Sequence, residues 1–133
     1  MNKKEDSIEN KIEKAIALMN EVDILMENAF YTTAISRLYY SCFHVTKALL
    51  LTKNLIPKTH RGVDVLLHEH FVKVNEFDPE QASFFGTLMQ ERMDDDYSDY
   101  MIVDIDEIVT YIKPAKSYLL YVLSLINSGK STL

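Results

Sequence analysis

Glycine and proline are scarce in this sequence: there are three of each among 133 residues, about 4.5% together where roughly 12% is usual. So few turn-forming residues argue against a fold of many short strands and favour long helices. The one cysteine, Cys42, excludes a disulfide within the chain. A chain of this length can bury a core without disulfides or metal, so we expect one domain over residues 1–133.

The sequence also has no long apolar run. The longest ones, Ala48–Leu51 and Tyr118–Leu123, fall far short of the ~20 residues that a membrane-spanning helix needs. The first ten residues, MNKKEDSIEN, are polar and do not resemble a signal peptide. We therefore expect a cytoplasmic protein without a membrane segment.

The spacing of apolar residues predicts five helices. In the first, apolar residues recur at three- and four-residue steps from Ile8 to Met26, which places them on one helical face. Asp6 and Glu9 have the spacing of a capping box. These features predict a helix from about Ser7 to Glu27.

A wide apolar arc marks the second helix and predicts that it lies at the centre of the fold. Either Thr32 or Thr33 is a suitable N-cap. We expect the helix to end near Asn54, because the residues before Pro57 disfavour helical backbone.

The remaining helices carry clear start signals. Thr59 can cap a third helix with apolar positions from Val63 to Val74, Asp78 followed by Pro79 favours the start of a fourth, and Asp104 that of a fifth.

Pro114 interrupts the apolar pattern of the fifth helix and predicts a kink or two abutting helices, while Gly129 is a natural terminator. Short connections between long helices predict an all-α fold, a five-helix up-and-down antiparallel bundle.

The charges are segregated along the chain. The net charge is −6, from 14 basic and 20 acidic residues, which excludes a uniformly basic nucleic-acid coat. However, the 36 residues from Asn28 to Val63 contain no acid and carry a charge of +5, which leaves −11 for the rest. The five basic residues are Arg37, Lys47, Lys53, Lys58 and Arg61.

Two interpretations of this acid-free segment stay open. One is an anion-binding face in which Lys58, His60 and Arg61 lie at the start of the third helix, where the free amides and the helix dipole also favour negative charge. The other is that the second helix is buried and avoids carboxylates for that reason. Burial explains the missing acids but explains the clustered cations less well.

Arg37 and His44 are seven residues apart, so both point to nearly the same side of the second helix, two turns apart. Such a pair could serve a ribonuclease, because arginine neutralises a phosphate and histidine can exchange the proton of a ribose 2′-hydroxyl. The alternative is a buried polar pair that is satisfied by neighbouring groups.

Neither of two possible metal motifs predicts a metal site. His68 and His70 are two residues apart and point to opposite sides of a helix, so they cannot bind one ion together. The acidic run from Glu91 to Asp99 could bind a divalent cation, but a solvated helix face explains it better, because consecutive aspartates on a helix point in different directions. We expect no metal and no cofactor.

Three segments together resemble the HEPN family (higher eukaryotes and prokaryotes nucleotide-binding), in particular its small stand-alone prokaryotic members. They are Tyr31–Ser41 (YTTAISRLYYS), Pro57–Val63 (PKTHRGV) and Arg92–Tyr97 (RMDDDY). These match an R-x-YYA-like helix, a K-T/S-H-K/R turn and an R-x-x-x-DY sequence. The resemblance implies an all-α bundle, commonly a homodimer, often encoded beside a minimal nucleotidyltransferase as a toxin–antitoxin pair.

Many HEPN proteins are metal-independent ribonucleases with an R-x(4-6)-H motif. Here Tyr97 stands at the position after Arg92 where the resemblance leads one to expect a histidine. The resemblance makes Arg92, Asp96 and Tyr97 candidate catalytic residues, and His44 joins them because it follows Arg37 at a formally matching distance.

The leading hypothesis is a module that binds RNA, a nucleotide or a partner nucleotidyltransferase in a toxin–antitoxin-like system. Its predicted binding residues are Arg37, Lys58, His60 and Arg61. The alternative hypotheses are a metal-independent ribonuclease toxin, or a structural dimer whose acidic face binds a basic partner.

Overall fold

The computed structural model describes residues 2–96 and 104–131, with side chains up to Glu91 and from Asp104 to Gly129. These residues form five α-helices and no strand: α1 Lys3–Glu27, α2 Tyr31–Thr52, α3 His60–Leu67, α4 Pro79–Asp96 and α5 Ile105–Ser131. A π-helical segment, His68–Val72, continues α3. The predicted all-α, five-helix bundle is confirmed. None of the helices in the described ranges is long and apolar enough to cross a membrane.

Helix α2 is the centre of the bundle and packs against the other four helices. Half of its residues are buried, including Leu38, Cys42, Val45 and Leu50. On the opposite side of the core lie aromatic residues of α4 and α5, with Phe85 and Tyr118 stacked at 5.3 Å between ring centroids. Their burial removes a large apolar area from water, which is the main stabilising term of such a fold.

Cross-helix contacts give the helix directions. The Ser41 hydroxyl donates to the Ala15 carbonyl at 2.7 Å, and contacts nearer the start of α2 reach the end of α1, so the two helices are antiparallel. On the other side, Thr46 hydrogen-bonds the Tyr118 hydroxyl at 2.6 Å, and Cys42 faces the Ala115 carbonyl. Helices α2 and α5 therefore run in the same direction.

Three of the predicted helix starts are confirmed. Thr59 accepts a hydrogen bond from the Gly62 amide, Asp78 from the Glu80 amide and Asp104 from the Asp106 amide. Each of these acceptors satisfies an amide that has no partner within its helix. The three motifs could be recognised because the cap and its donor are close in sequence.

Both of the other predicted starts are wrong. Helix α1 begins four residues earlier than expected, because Asn2 accepts from the Lys4 amide and takes the role assigned to Asp6. Helix α2 begins at Tyr31 after Phe30 and has no side-chain cap, so neither Thr32 nor Thr33 acts as one. Its stability comes from tertiary packing instead.

Two expectations for α5 and one for the core are also wrong: α5 is not divided into two abutting helices at Pro114, it does not end at Gly129, and Val74 is not buried. The helix continues without a break through Pro114 and Gly129. Pro114 and Thr110 are both exposed, so the carbonyl that loses its amide partner faces water. Val74 is 53% exposed, because the helical backbone ends with Val72 and Asn75 adopts a left-handed conformation.

Candidate nucleic-acid interface

The connection between α2 and α3 places the start of α3 against the middle of α2. His60, the first residue of α3, lies beside two residues of α2: its Nδ1 is 3.0 Å from the Tyr39 hydroxyl, and its ring centroid is 4.6 Å from that of Phe43. Tyr39 and Phe43 are both buried, whereas His60 is exposed. The imidazole is thus held at the surface by core aromatics.

The local sequence fixes this turn. The Thr59 hydroxyl accepts from the Gly62 amide at 2.9 Å, and a Cβ at position 62 would lie only 3.0 Å from that hydroxyl oxygen. Glycine at 62 therefore leaves room for the cap. Lys58 and Arg61 flank the cap in the sequence, and both are exposed.

A cavity of about 240 Å³ opens beside this turn. Its wall combines aromatic and cationic side chains with the cap itself: Phe43, Lys47, Pro57, Lys58, Thr59, His60 and Val63. The Lys47 ammonium lies 5.3 Å from the Phe43 ring centroid, a cation–π distance that draws the charge toward the cavity. The cavity is suited to a ligand that is anionic and has a flat ring.

Positive charge from α1 extends this surface. Burial, with the positive charges of Lys14, Lys47 and Lys11 and with His60, lowers the pKa of His44 to about 4. Burial, Lys47 and Lys14 likewise lower the pKa of Lys11. Burial is the largest cause of both shifts and the neighbouring cations add to it, so a bound anion would relieve the repulsive part.

The cations of the acid-free segment differ in their partners. Arg37 Nε lies 2.6 Å from a Glu21 carboxylate oxygen, and Lys53 pairs with Glu76. By contrast, a second group forms no ion pair with any carboxylate among the described side chains. This group consists of Lys47, Lys58 and Arg61, and we add to it Lys14 of α1, which likewise forms no such pair.

We call the surface formed by this second group together with Lys11 and His60 the cationic face. It contains three of the four predicted binding residues, namely Lys58, His60 and Arg61. Arg37, the fourth, lies on the same side of α2 as His44 but is held by Glu21.

The predicted catalytic residues are spread over two places. His44 lies between Tyr40, at 6.1 Å, and Phe43, at 5.5 Å between ring centroids, and so belongs to the aromatic cluster beside the cationic face. Arg92 and Asp96 lie on α4, and their side chains are outside the described residues. Tyr97 is also outside the described residues.

The histidines of the π-helical segment lie elsewhere, each beside one acid. His68 Nε2 is 3.5 Å from an Asp64 oxygen, and His70 Nε2 is 4.0 Å from a Glu69 oxygen. Within residues 2–96 and 104–131, no three His, Cys, Asp or Glu side chains are grouped so that they could share a metal ion.

Sequence reasoning missed several members of the site. Lys47 could not be distinguished in the sequence from the other cations of the acid-free segment. Lys11 and Lys14 lie outside that segment, on α1. Because Lys11 and Lys14 are three residues apart, the sequence does show that they share one side of α1. It does not show that this side lies next to Lys47.

Comparison with known proteins relates the chain to one family and to several small proteins. The family model described as "HEPN domain" matches residues 8–125. A protein of Methanocaldococcus jannaschii named "Putative toxin" is 40% identical over 90 residues, which cover 68% of this chain but only 61% of that protein. A Thermotoga maritima protein named "UPF0332 protein" is 28% identical and matches 98% of both chains. A second Methanocaldococcus jannaschii protein named "Putative toxin" is 46% identical over half of each chain.

Proposed function

The chain belongs to the HEPN domain family, and from this premise we propose that it is an RNA-binding module whose binding surface is the cationic face. One observation carries the proposal: Lys47 and Lys58 lack carboxylate partners among the described residues and line a cavity together with His60. Arg61, which also lacks such a partner, is exposed next to His60 on the first turn of α3.

The chemistry of this cavity favours single-stranded RNA. Lysine and arginine bind phosphates, and the exposed ring of His60 offers a surface on which an unpaired base can stack. A base inside a duplex cannot reach such a cavity, whereas an unstacked base of a loop or an end can. The acidic remainder of the chain is expected to repel RNA and so to confine it to this face.

A titration of RNA binding across salt concentrations tests the proposal. We expect a single-stranded RNA oligomer to bind at low ionic strength, with an affinity that falls as salt rises. Replacement of Lys58 and Arg61 by alanine should weaken binding roughly 10- to 100-fold and reduce the salt slope by about 0.7 for each phosphate that the variant no longer binds.

The matched control is the double variant Arg37→Ala/Lys53→Ala, which removes the same charge from the same segment. Glu21 and Glu76 already neutralise these two side chains, so RNA affinity should stay within about twofold of the original. The proposal would be wrong if no RNA bound at low salt, or if both double variants bound RNA equally well.

A ribonuclease is the second candidate function, and the name "Putative toxin" carried by two relatives favours it. The candidate groups are Arg37 with His44, and Arg92 with Asp96 and Tyr97. Incubation of the purified protein with RNA in EDTA should then give cleavage products, and cleavage should stop in Arg37→Ala or in Arg92→Ala. Intact RNA, or cleavage that survives both substitutions, would exclude this candidate.

The system in which the module acts is a further part of the proposal. We infer a homodimer in a toxin–antitoxin-like pair with a minimal nucleotidyltransferase, as the family resemblance implies, and a free nucleotide as the other ligand that fits the cationic face. Light scattering checks the dimer, and co-purification after co-expression with a neighbouring nucleotidyltransferase gene checks the pair. A monomer, or a nucleotidyltransferase that does not co-purify, would contradict the corresponding part.

A further inference from the structure

A second cavity, of about 230 Å³, lies directly beside the first. Lys47 and Pro57 line both cavities, so the side chain of Lys47 stands between them. Residues of the connection before α3 form one wall of the second cavity, and residues of α1 and α2 form the rest. The two cavities together make one groove with a cation at its middle.

The walls of the second cavity differ from those of the first. Leu51, Leu55 and Ile56 make them largely apolar, and Ile56 is 76% exposed. One edge is polar, because Ser7 and Lys11 lie there and the Lys11 ammonium donates to the Ser7 hydroxyl at 2.9 Å. A flat ring with hydrogen-bonding groups at its rim fits such a cavity.

The positive charges are concentrated where the cavities meet. Lys11 and Lys47 line the second cavity, and Lys47 and Lys58 line the first. An anionic group bound at Lys47 would thus have the Lys11 ammonium on one side and the Lys58 ammonium on the other. A ligand that fits the whole groove has two flat apolar parts joined by one negative charge.

We propose that the groove binds two successive nucleotides of single-stranded RNA, with one base in each cavity and the linking phosphate at Lys47. This inference rests on the proposed function and adds a site size and the position of one phosphate. The first base stacks on the ring of His60 and the second lies against Ile56.

The test is a titration of the protein, followed by NMR, with three ligands: a dinucleoside monophosphate, a nucleoside 5′-monophosphate and inorganic phosphate. The dinucleoside monophosphate carries less charge than either of the other two, so electrostatics alone would make it the weakest. We expect it to bind roughly tenfold more tightly than the mononucleotide, because its second base gains a cavity.

Two substitutions separate the cavities. Ile56→Ser should weaken binding of the dinucleoside monophosphate about fivefold and leave the mononucleotide unchanged, whereas His60→Ala should weaken both. Ile24→Ser is the matched control for the first, since Ile24 is 62% exposed on α1, and His70→Ala is the control for the second. Neither control should change any affinity.

Three results would overturn the inference: a mononucleotide or inorganic phosphate that binds as tightly as the dinucleoside monophosphate, an Ile56→Ser variant that binds like Ile24→Ser, or a His60→Ala variant that binds like His70→Ala. RNA binding that still depends on salt and on Lys58 and Arg61 would in that case leave the proposed function standing. Absence of RNA binding at low salt would instead remove both.

Discussion

The acid-free segment contains two kinds of cation, and their surroundings differ more than their sequence context does. Arg37 and Lys53 are each paired with a glutamate from another part of the chain. Lys47, Lys58 and Arg61 have no such partner among the described residues and lie around or beside a cavity. A charge of +5 along the sequence thus becomes a smaller but more concentrated positive surface in space.

The comparison shows that the absence of acids along a segment does not decide which of its cations are free. Glu21 and Glu76 neutralise two cations from outside the segment. In the opposite sense, α1 contributes Lys11 and Lys14, which strengthen the positive field around Lys47. The surface potential is therefore a property of helix packing.

Both sequence interpretations of the segment have support, but for different parts of it. Helix α2 is the most buried helix of the bundle, and burial accounts for the lack of carboxylates over Tyr31–Thr52. Burial does not account for Lys58 and Arg61, which are exposed at the start of α3. The anion-binding interpretation rests on these residues.

The largest predicted effect on stability comes from His44, which is half-buried beside the cationic face. Its pKa is about 4 in the folded chain, through burial first and then through Lys14, Lys47, Lys11 and His60, against 6.5 when unfolded. Between these values the unfolded chain binds a proton that the folded chain does not, so stability falls as the pH drops from 6.5 toward 4. We expect a loss on the order of 1 kcal/mol, allowing for the partial exposure of the ring.

Urea unfolding at several pH values measures this effect. His44→Gln should be less sensitive to pH than the original protein between pH 6.5 and 4, because its side chain does not titrate. His70→Gln controls for the loss of an imidazole elsewhere. Equal pH dependence in the original protein and in His44→Gln would contradict the lowered pKa of His44 in the folded chain.

The two kinds of cation should also differ in their effect on stability at neutral pH. Arg37→Ala removes an exposed ion pair and should cost about 0.2–1 kcal/mol. Lys53→Ala should cost more, because the ammonium also lies 4.1 Å from the Phe71 ring centroid and donates to the His70 carbonyl. Lys58→Ala should be neutral or slightly stabilising.

Urea unfolding at about pH 7 measures these three differences. We expect Arg37→Ala and Lys53→Ala to lower stability and Lys58→Ala not to. For RNA affinity we expect the opposite: the Lys58 substitution should weaken binding, and the other two should not. A Lys58→Ala variant that loses as much stability as Lys53→Ala would show that Lys58 has a structural role. That result would contradict the distinction between paired and unpaired cations.

The sequence predicts those features that depend on neighbouring residues. Thr59, Asp78 and Asp104 cap helices through amides two or three residues away, and the cluster around Lys58 is contiguous. Features that depend on packing could not be predicted. Asn2 and the uncapped start of α2 show that long helices can begin where packing allows.

The same distinction applies to the site. The pair of Arg37 with Glu21 joins residues 16 positions apart, on different helices, and no local pattern indicates it. The contact of Tyr39 with His60 spans 21 positions and depends on the path of the connection before α3. The partners of the site residues are therefore fixed by the fold, although their identities are visible in the sequence.

The smallest of the predicted effects is an increase in RNA affinity. Glu21→Gln removes the carboxylate that holds Arg37, and so converts a paired cation into one that can bind phosphate. We expect RNA affinity to rise about two- to threefold and the salt slope to increase by up to about 0.7, the value for one further phosphate bound in single-stranded RNA. Salt titrations like those for the Lys58 and Arg61 variant give both numbers.

Glu27→Gln is the control for this increase in affinity. It changes the net charge by the same amount on the same helix, but at the exposed C-terminal end of α1 and not at the partner of Arg37. An equal rise in both variants would mean that RNA responds to net charge alone, and the distinction between paired and unpaired cations would then not govern binding. A rise confined to Glu21→Gln would show that ion pairs with neighbouring helices set the boundary of the cationic face, because only the release of Arg37 would then have extended it.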